Sequence, residues 1–271
     1  MPIFTVGPNS TYPSIAAAML AAGPNDTIQL EAGYSNETAV VTHTGMIITG
    51  DASSVGIVLQ LGNAIATVAL AGAAAINLLD AIDGNGIVGN DGNNLITVTA
   101  GADSVSGGLG HDRLFVDYRL ATGAVTGDST SNVTEAGGGA RMVTINGGFE
   151  DFTIWTGAGA DTITTGAGDD DIRTGEGAGT VTTGGGDDIL VGGSGDDRFV
   201  FGSDYGNDTI SDFDSDASGG QDLLDISAFG VTPGTFAADV TVNQVGLDTV
   251  ISIGGGSITL TGINAGTDFL F

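Results

Sequence analysis

Between Thr156 and Val200 an apolar residue recurs every nine positions. The stretch divides into TGAGADTIT, TGAGDDDIR, TGEGAGTVT, TGGGDDILV and GGSGDDRFV. The eighth positions are Ile163, Ile172, Val181, Leu190 and Phe199, and the sixth are Asp161, Asp170, Gly179, Asp188 and Asp197. Glycine recurs at the second and fourth positions, as at Gly166, Gly168, Gly184, Gly186, Gly193 and Gly195. Six glycine-rich residues predict a tight turn, because glycine accepts backbone angles that other residues cannot. The last three predict a short strand with one side chain pointing inward. A disordered Gly/Asp linker would carry no such apolar period.

The same register runs in degenerate form over 83–115, as DGNGIV, GNDGNNLIT, VTAGADSVS and GGLGHDRLF. Its sixth positions are Asn85, Asn94, Asp103 and Asp112, and its eighth are Ile87, Ile96, Val105 and Leu114. Residues 116–155 break the period. Alternating stretches at Ala124–Val125, Val143–Ile145 and Phe152–Trp155 predict longer coils with a loop at 127–141. Arg119 and Arg141, two of the five cations, fall in this 116–155 stretch. They are expected to pair with local surface acids, or else to grip an acidic polysaccharide or a neighbouring subunit. After Val200, Asp208 and Ile210 resume the pattern past a two-residue insertion.

Nearer the N-terminus the pattern changes. Ile3, Thr5 and Val6 suggest a strand, and TYPSIAAAMLAAG a short helix. Thr11 or Ser14 would cap that helix, Ile15, Ala18, Met19 and Ala22 would share its buried face, and Gly23 would end it. Strands are expected at 26–30, 38–42 and 46–49, with further buried strands over 51–80. Periodicity alone leaves a buried helix over 64–79 open. At the other end, strands are expected at 240–245, 249–253 and 257–260.

Charge narrows the chemistry. The net charge is −28; of 33 acids 28 are Asp, and all five cations are Arg. Asp concentrated in glycine-rich turns suits Ca²⁺, which takes about 6–8 oxygen ligands. Without a cation such a chain repels itself. Nucleic acid is not an expected partner, because phosphate contacts need clustered basic residues. With no Cys, disulfides and thiolate metal sites are excluded. MPIFTVGPNS shows neither a basic n-region nor an apolar h-region, so a cleaved signal peptide is not expected.

The in-register nonapeptides resemble the RTX (repeats-in-toxin, hemolysin-type calcium-binding) repeat, G-G-x-G-x-D-x-U-x. The resemblance implies two nonapeptides per coil, so that every second turn stacks and the stacked turns hold several Ca²⁺ ions. It sets Asp170 against Asp188, and Asp161 against Gly179 and then Asp197, with a weaker site where Gly179 lacks a carboxylate. It pairs Asn85 with Asp103 and Asn94 with Asp112, sites expected to be weaker because Asn brings no charge. Asp208 would close the last site opposite Asp188. The implied ligands are those Asp and Asn residues with Gly166, Gly168, Gly184, Gly186, Gly193 and Gly195. The D-x-I-x-D-F and D-x-L-D-I-S runs after Asn207 resemble serralysin-type C-terminal domains. The final TDFLF resembles a type I secretion signal. The stretch 2–50 resembles the capped start of right-handed parallel β-helices such as those of pectate lyases and alginate epimerases.

The expected fold is therefore all-β: a right-handed parallel β-helix/β-roll solenoid with a short N-terminal capping helix. The expected divisions are cap and first coils at 1–82, a calcium-binding β-roll at 83–211 with the 116–155 insertion, and a β-rich end at 212–271. No H-E-x-x-H or G-x-S-x-G motif is present, and His43 and His111 lie far apart in sequence. The stretch 1–80 holds no Lys or Arg to neutralise a substrate carboxylate, and Asp51 and Asp80 stand there as lone acids. Enzymatic activity is not expected. The expected function is a secreted calcium-binding structural protein that folds on Ca²⁺ and self-assembles into a homopolymer: a surface layer, filament or matrix. A polysaccharide-binding accessory module is the alternative, and a lyase or epimerase a lesser one. Thr156, Thr165, Thr174 and Thr183 recur every nine residues, but their place at turn starts argues against an ice-binding face.

Overall fold

The computed structural model describes residues 1–63, 65–80, 84–137, 141–216 and 220–266. The TDFLF segment, Asp83 and part of the 127–141 stretch lie outside these residues. The chain forms two compact units: Met1–Asp117 with 130–132 and 140–151, and Tyr118–Ser129 with 133–139 and 152–271. Residues 116–155 thus contribute to both. The class is all-β, with parallel β-roll coils in each unit.

In the first unit, one row of parallel strands runs Ile3–Val6, Thr27–Leu30, Met46–Gly50, Thr67–Gly72, Gly86–Val88, Gly101–Ser106 and Arg141–Ile145. The facing row runs Thr38–Val41, Ile57–Leu61, Ile76–Leu79, Leu95–Val98 and Arg113–Asp117. Met46, Val68, Ile87, Val105 and Ile145 stack in register and are buried. So do Leu59, Leu78, Ile96 and Leu114 on the other row. Each such side chain contributes about 2 kcal/mol on burial. The register step from Met46 to Val68 is longer than the step from Ile87 to Val105, which equals two nonapeptides. The period of the repeats therefore begins where the coils reach their tightest form. Where a buried helix stood open over 64–79, the described residues form the strands Thr67–Gly72 and Ile76–Leu79.

The helix Ile15–Ala21 begins at Ser14, whose side chain accepts from Ala17 N. The Glu37 carboxylate accepts from Ile15 N and Ala16 N at 2.9 and 3.1 Å, satisfying first-turn donors. Ile15, Ala18, Met19 and Ala22 are buried as the spacing predicts. The helix lies against Ile3–Val6, Thr27–Leu30 and Thr38–Val41, which include the first strands of both rows.

In the second unit one row holds Val125–Asp128, Thr162–Thr164, Thr180–Thr182, Arg198–Val200 and Leu223–Asp225. Ile163, Val181, Phe199 and Leu224 share a register line there. The other row carries Ile154, Ile172, Leu190, Ile210 and Leu260 in line, all buried. Past the repeats the chain turns antiparallel: Val240–Val245, Asp248–Ile253 and Gly256–Leu260 form a meander, and the last joins Asn207–Ile210 in parallel. The loop expected at 127–141 is instead partly strand, at Val125–Asp128 and Asn132–Glu135. Val125 and Val133 are buried, and that burial is what fixes these strands.

Candidate functional site

The turns stack as closely as the strands. In the second unit Ala158, Glu176 and Ser194 bridge in parallel, as do Ala167 and Gly185. Glycine makes this approach possible. Gly193 has φ 93°, and a Cβ there would lie 1.8 Å from the Gly175 carbonyl oxygen. A Cβ on Gly186, φ 116°, would lie 2.2 Å from the Gly168 oxygen, and one on Gly184 2.0 Å from the Gly166 oxygen. Gly168 and Gly195 also take positive φ, at 127° and 135°.

This stacking aligns the sixth positions into a carboxylate ladder. Each Oδ1 accepts a backbone N–H from one coil earlier, that of the sixth residue where the repeat runs. Asp170 N donates to Asp188 at 2.9 Å, Asp188 N to Asp208 at 2.9 Å, and Gly179 N to Asp197 at 2.7 Å. Phe152 N donates to Asp170 and Val125 N to Asp161, both at 2.7 Å. The two-residue insertion before Asp208 leaves the ladder intact. Asp161 lies one coil before Gly179, which offers no carboxylate, and its Oδ2 accepts from the Thr156 hydroxyl instead.

The first unit builds the same ladder. Asn85 N donates to Asp103 Oδ1 at 2.9 Å and Asn94 N to Asp112 Oδ1 at 2.7 Å. Asp103 and Asp112 are each 1% exposed, as are Asp188 and Asp208, and Asp197 is 2%. In all five the second oxygen, Oδ2, is buried without a hydrogen-bond partner.

Five half-satisfied carboxylates in dry surroundings need a counter-charge. Three arginines are engaged elsewhere: Arg113 pairs with Asp151, Arg173 with Asp171 and Arg198 with Asp225. Whenever no cation is bound, such buried carboxylates favour their protonated form. Burial, helped by the Asp208 and Asp170 charges, pushes Asp188 up to about 8. Burial pushes Asp208 up to about 7, and burial with the Asp80 charge does the same for Asp103. Asp112 and Asp197 rise to about 6, chiefly through burial.

The donor set is all oxygen, which fits a hard cation such as Ca²⁺. Among the described residues no three His, Cys, Asp or Glu side chains converge to hold an ion by themselves. Backbone carbonyls of the stacked turns would have to complete each shell beside the Oδ2 atoms.

Two ladder members escape the nine-residue register. Asp222 accepts from Asp197 N at 3.0 Å, 25 residues on, and Glu150 accepts from Asp112 N at 2.7 Å, 38 residues on. Asp80, which stands as a lone acid in the sequence, accepts from the Asn85 amide. Tyr118 and Tyr205 are buried. Arg119 lies over the Trp155 ring at 4.7 Å, with Arg173 at 4.9 Å. Thr156, Thr165, Thr174 and Thr183 are all buried and present no exposed face.

The RTX calcium-binding nonapeptide repeat model matches residues 87–117, 147–181 and 174–210, with four copies. The chain therefore carries RTX repeats, and such repeats bind multiple Ca²⁺ ions. No curated protein matches the chain.

Proposed function

We propose that this is a secreted calcium-binding structural protein whose coils fold when Ca²⁺ reaches the turns. The observation that carries the proposal is the row of buried, unpartnered Oδ2 atoms on Asp103, Asp112, Asp188, Asp197 and Asp208. With Asp161, Asp170, Asn85, Asn94 and carbonyls of Gly166, Gly168, Gly184, Gly186, Gly193 and Gly195, these oxygens hold the ions. Ca²⁺ supplies the positive charge that lets the carboxylates ionise in a dry turn. The chain's own part is to bring them together: glycine admits the close approach, the Oδ1–H–N bonds fix each carboxylate, and the eighth-position side chains clamp the coils. An unfolded chain separates these groups, so binding energy becomes folding energy. Low cytosolic Ca²⁺ keeps the chain open for type I secretion, and external Ca²⁺ closes it.

The folded protein then assembles with its own copies into a layer, filament or matrix. One edge supports this part. Val240–Val245 ends a row of the second unit, with Val245 and Leu247 exposed. An uncovered strand edge is a template for pairing with another chain. Sedimentation of EDTA-treated protein before and after millimolar Ca²⁺, with electron microscopy of the pellet, tests it. Ordered polymers are expected, and compact monomers would sink the assembly.

Arg119 and Arg173 over Trp155 favour a second reading, an accessory module for acidic polysaccharide, since guanidinium and indole are common sugar-acid contacts. Calcium-loaded monomers retarded by an acidic polysaccharide gel, with the retardation lost in Trp155→Ala, would select it. Catalysis has less support. His43 bonds to Thr42, His111 lies 3.6 Å from Asp151, and a groove of about 960 Å³ in the second unit is lined by Phe213, Leu224, Ile226, Phe236 and Val240.

A further inference from the structure

In the nine-residue register Asp80 occupies a first position and Asn85 the sixth of the same nonapeptide. The Thr156 turn shows what these positions do to one another. There the first residue, Thr156, donates to the sixth, Asp161, across five residues. Between Asp80 and Asn85 the polarity is reversed: Asn85 donates its amide N–H to Asp80 Oδ1, again across five residues. The carboxylate has moved from the sixth position to the first, and the neutral partner has taken its place.

Asp103 completes the arrangement from the next coil, with its Oδ1 accepting from Asn85 N at 2.9 Å. Asp80, Asn85 and Asp103 are 3%, 3% and 1% exposed. Asp103 Oδ2 has no hydrogen-bond partner and no access to water. Two carboxylates thus meet one buried asparagine, Asp80 at its side-chain amide and Asp103 at its backbone N–H, with the Asp103 Oδ2 left over. A neutral Asn85 opposite Asp103 is half the charge of the Asp188–Asp208 pair only if Asp80 is left out.

We infer that Asp80, Asn85 and Asp103 form a Ca²⁺ site of inverted polarity, with Asp80 providing the carboxylate that the sixth position lacks. Its charge count equals that of a two-Asp site, and its first two members lie ahead of the residues that match the repeat model. The inference rests on calcium binding by the ladder as a whole.

The test is ion counting on the full chain at fixed free Ca²⁺, by equilibrium dialysis and elemental analysis. Asp80→Asn keeps the side-chain shape and is expected to lose one ion per chain, or to weaken that ion about tenfold. Asp80→Asn/Asn85→Asp, which returns the carboxylate to the sixth position, is expected to restore it. An unchanged ion count and affinity in folded Asp80→Asn would overturn the inference, as would a double variant that folds but does not recover the ion. A merely structural Asp80 would lower the melting temperature in saturating Ca²⁺ while leaving the ion count and affinity unchanged, and that too would overturn it. If the parent chain binds no Ca²⁺ at all, the calcium reading itself fails, an outcome separate from these.

Discussion

Asp208 Oδ1 accepts the backbone N–H of Asp188 at 2.9 Å, while the Oδ2 atoms of both residues are buried without partners. The hydrogen bond is the part of the site that the chain makes alone. The two remaining oxygens are the part that needs a cation, and the distinction between them organises what should be measured.

Asp188→Asn keeps the shape of the side chain and removes one charge from the centre of the ladder. The calcium midpoint for folding is expected to rise roughly tenfold, since ligand charge sets the affinity of such sites. Circular dichroism against buffered free Ca²⁺ reads it directly. An unchanged midpoint would remove Asp188 from the ligand set.

Without calcium, pH should replace part of its effect. Asp188 and Asp208 titrate near 8 and 7 in the folded chain, raised from the ordinary 3.8. The folded state then keeps protons that the unfolded chain has lost, so stability falls as pH rises. The contribution is complete below about pH 4 and gone above about pH 8. EDTA-treated protein is expected to show more β-structure at pH 4.5 than at pH 8, and saturating Ca²⁺ to abolish the difference. Greater order at pH 8 in EDTA would mean that the ladder carboxylates are not buried as described.

Gly193→Ala puts a methyl group where the Gly175 carbonyl oxygen stands, at a φ of 93°. The backbone must move, at a cost of about 1–3 kcal/mol. Calcium-saturated thermal unfolding should show a lower melting temperature, whereas Gly255→Ala, with nothing within 4 Å, should show far less change.

Phe199 is fully buried between Val181 and Leu224 on its register line. Phe199→Ala should destabilise the calcium-loaded protein by about 3–5 kcal/mol. Ser14→Ala, which removes the helix cap, should cost only about 1 kcal/mol. Denaturant melts in excess Ca²⁺ would separate the two, and equal losses would place Phe199 outside the core.

The repeats were legible because one residue per nine does one job. Ile163, Val181 and Phe199 are apolar for the same line of the core, and Asp170 and Asp188 are spaced by one coil. Legibility ended where coil length changes. Glu150 and Asp222 take ladder positions that no nine-residue count reaches, because 38 and 25 residues separate them from their partners. Asp80 was hidden differently: it keeps the register but exchanges roles with Asn85. The strands at Val125–Asp128 and Asn132–Glu135 lack a period, and the polar residues around them read as loop. Trp155 meets Arg119 from a distant point of the chain, a contact that only the fold creates.

The central claim is that calcium folds this chain, and one titration tests it most directly. EDTA-treated protein at pH 7.5 is followed by far-UV circular dichroism as free Ca²⁺ rises from nanomolar to millimolar. The account predicts a largely disordered start and a steep, cooperative gain of β-structure that EDTA reverses. A chain already fully folded in EDTA at that pH, with no response to Ca²⁺, would contradict it.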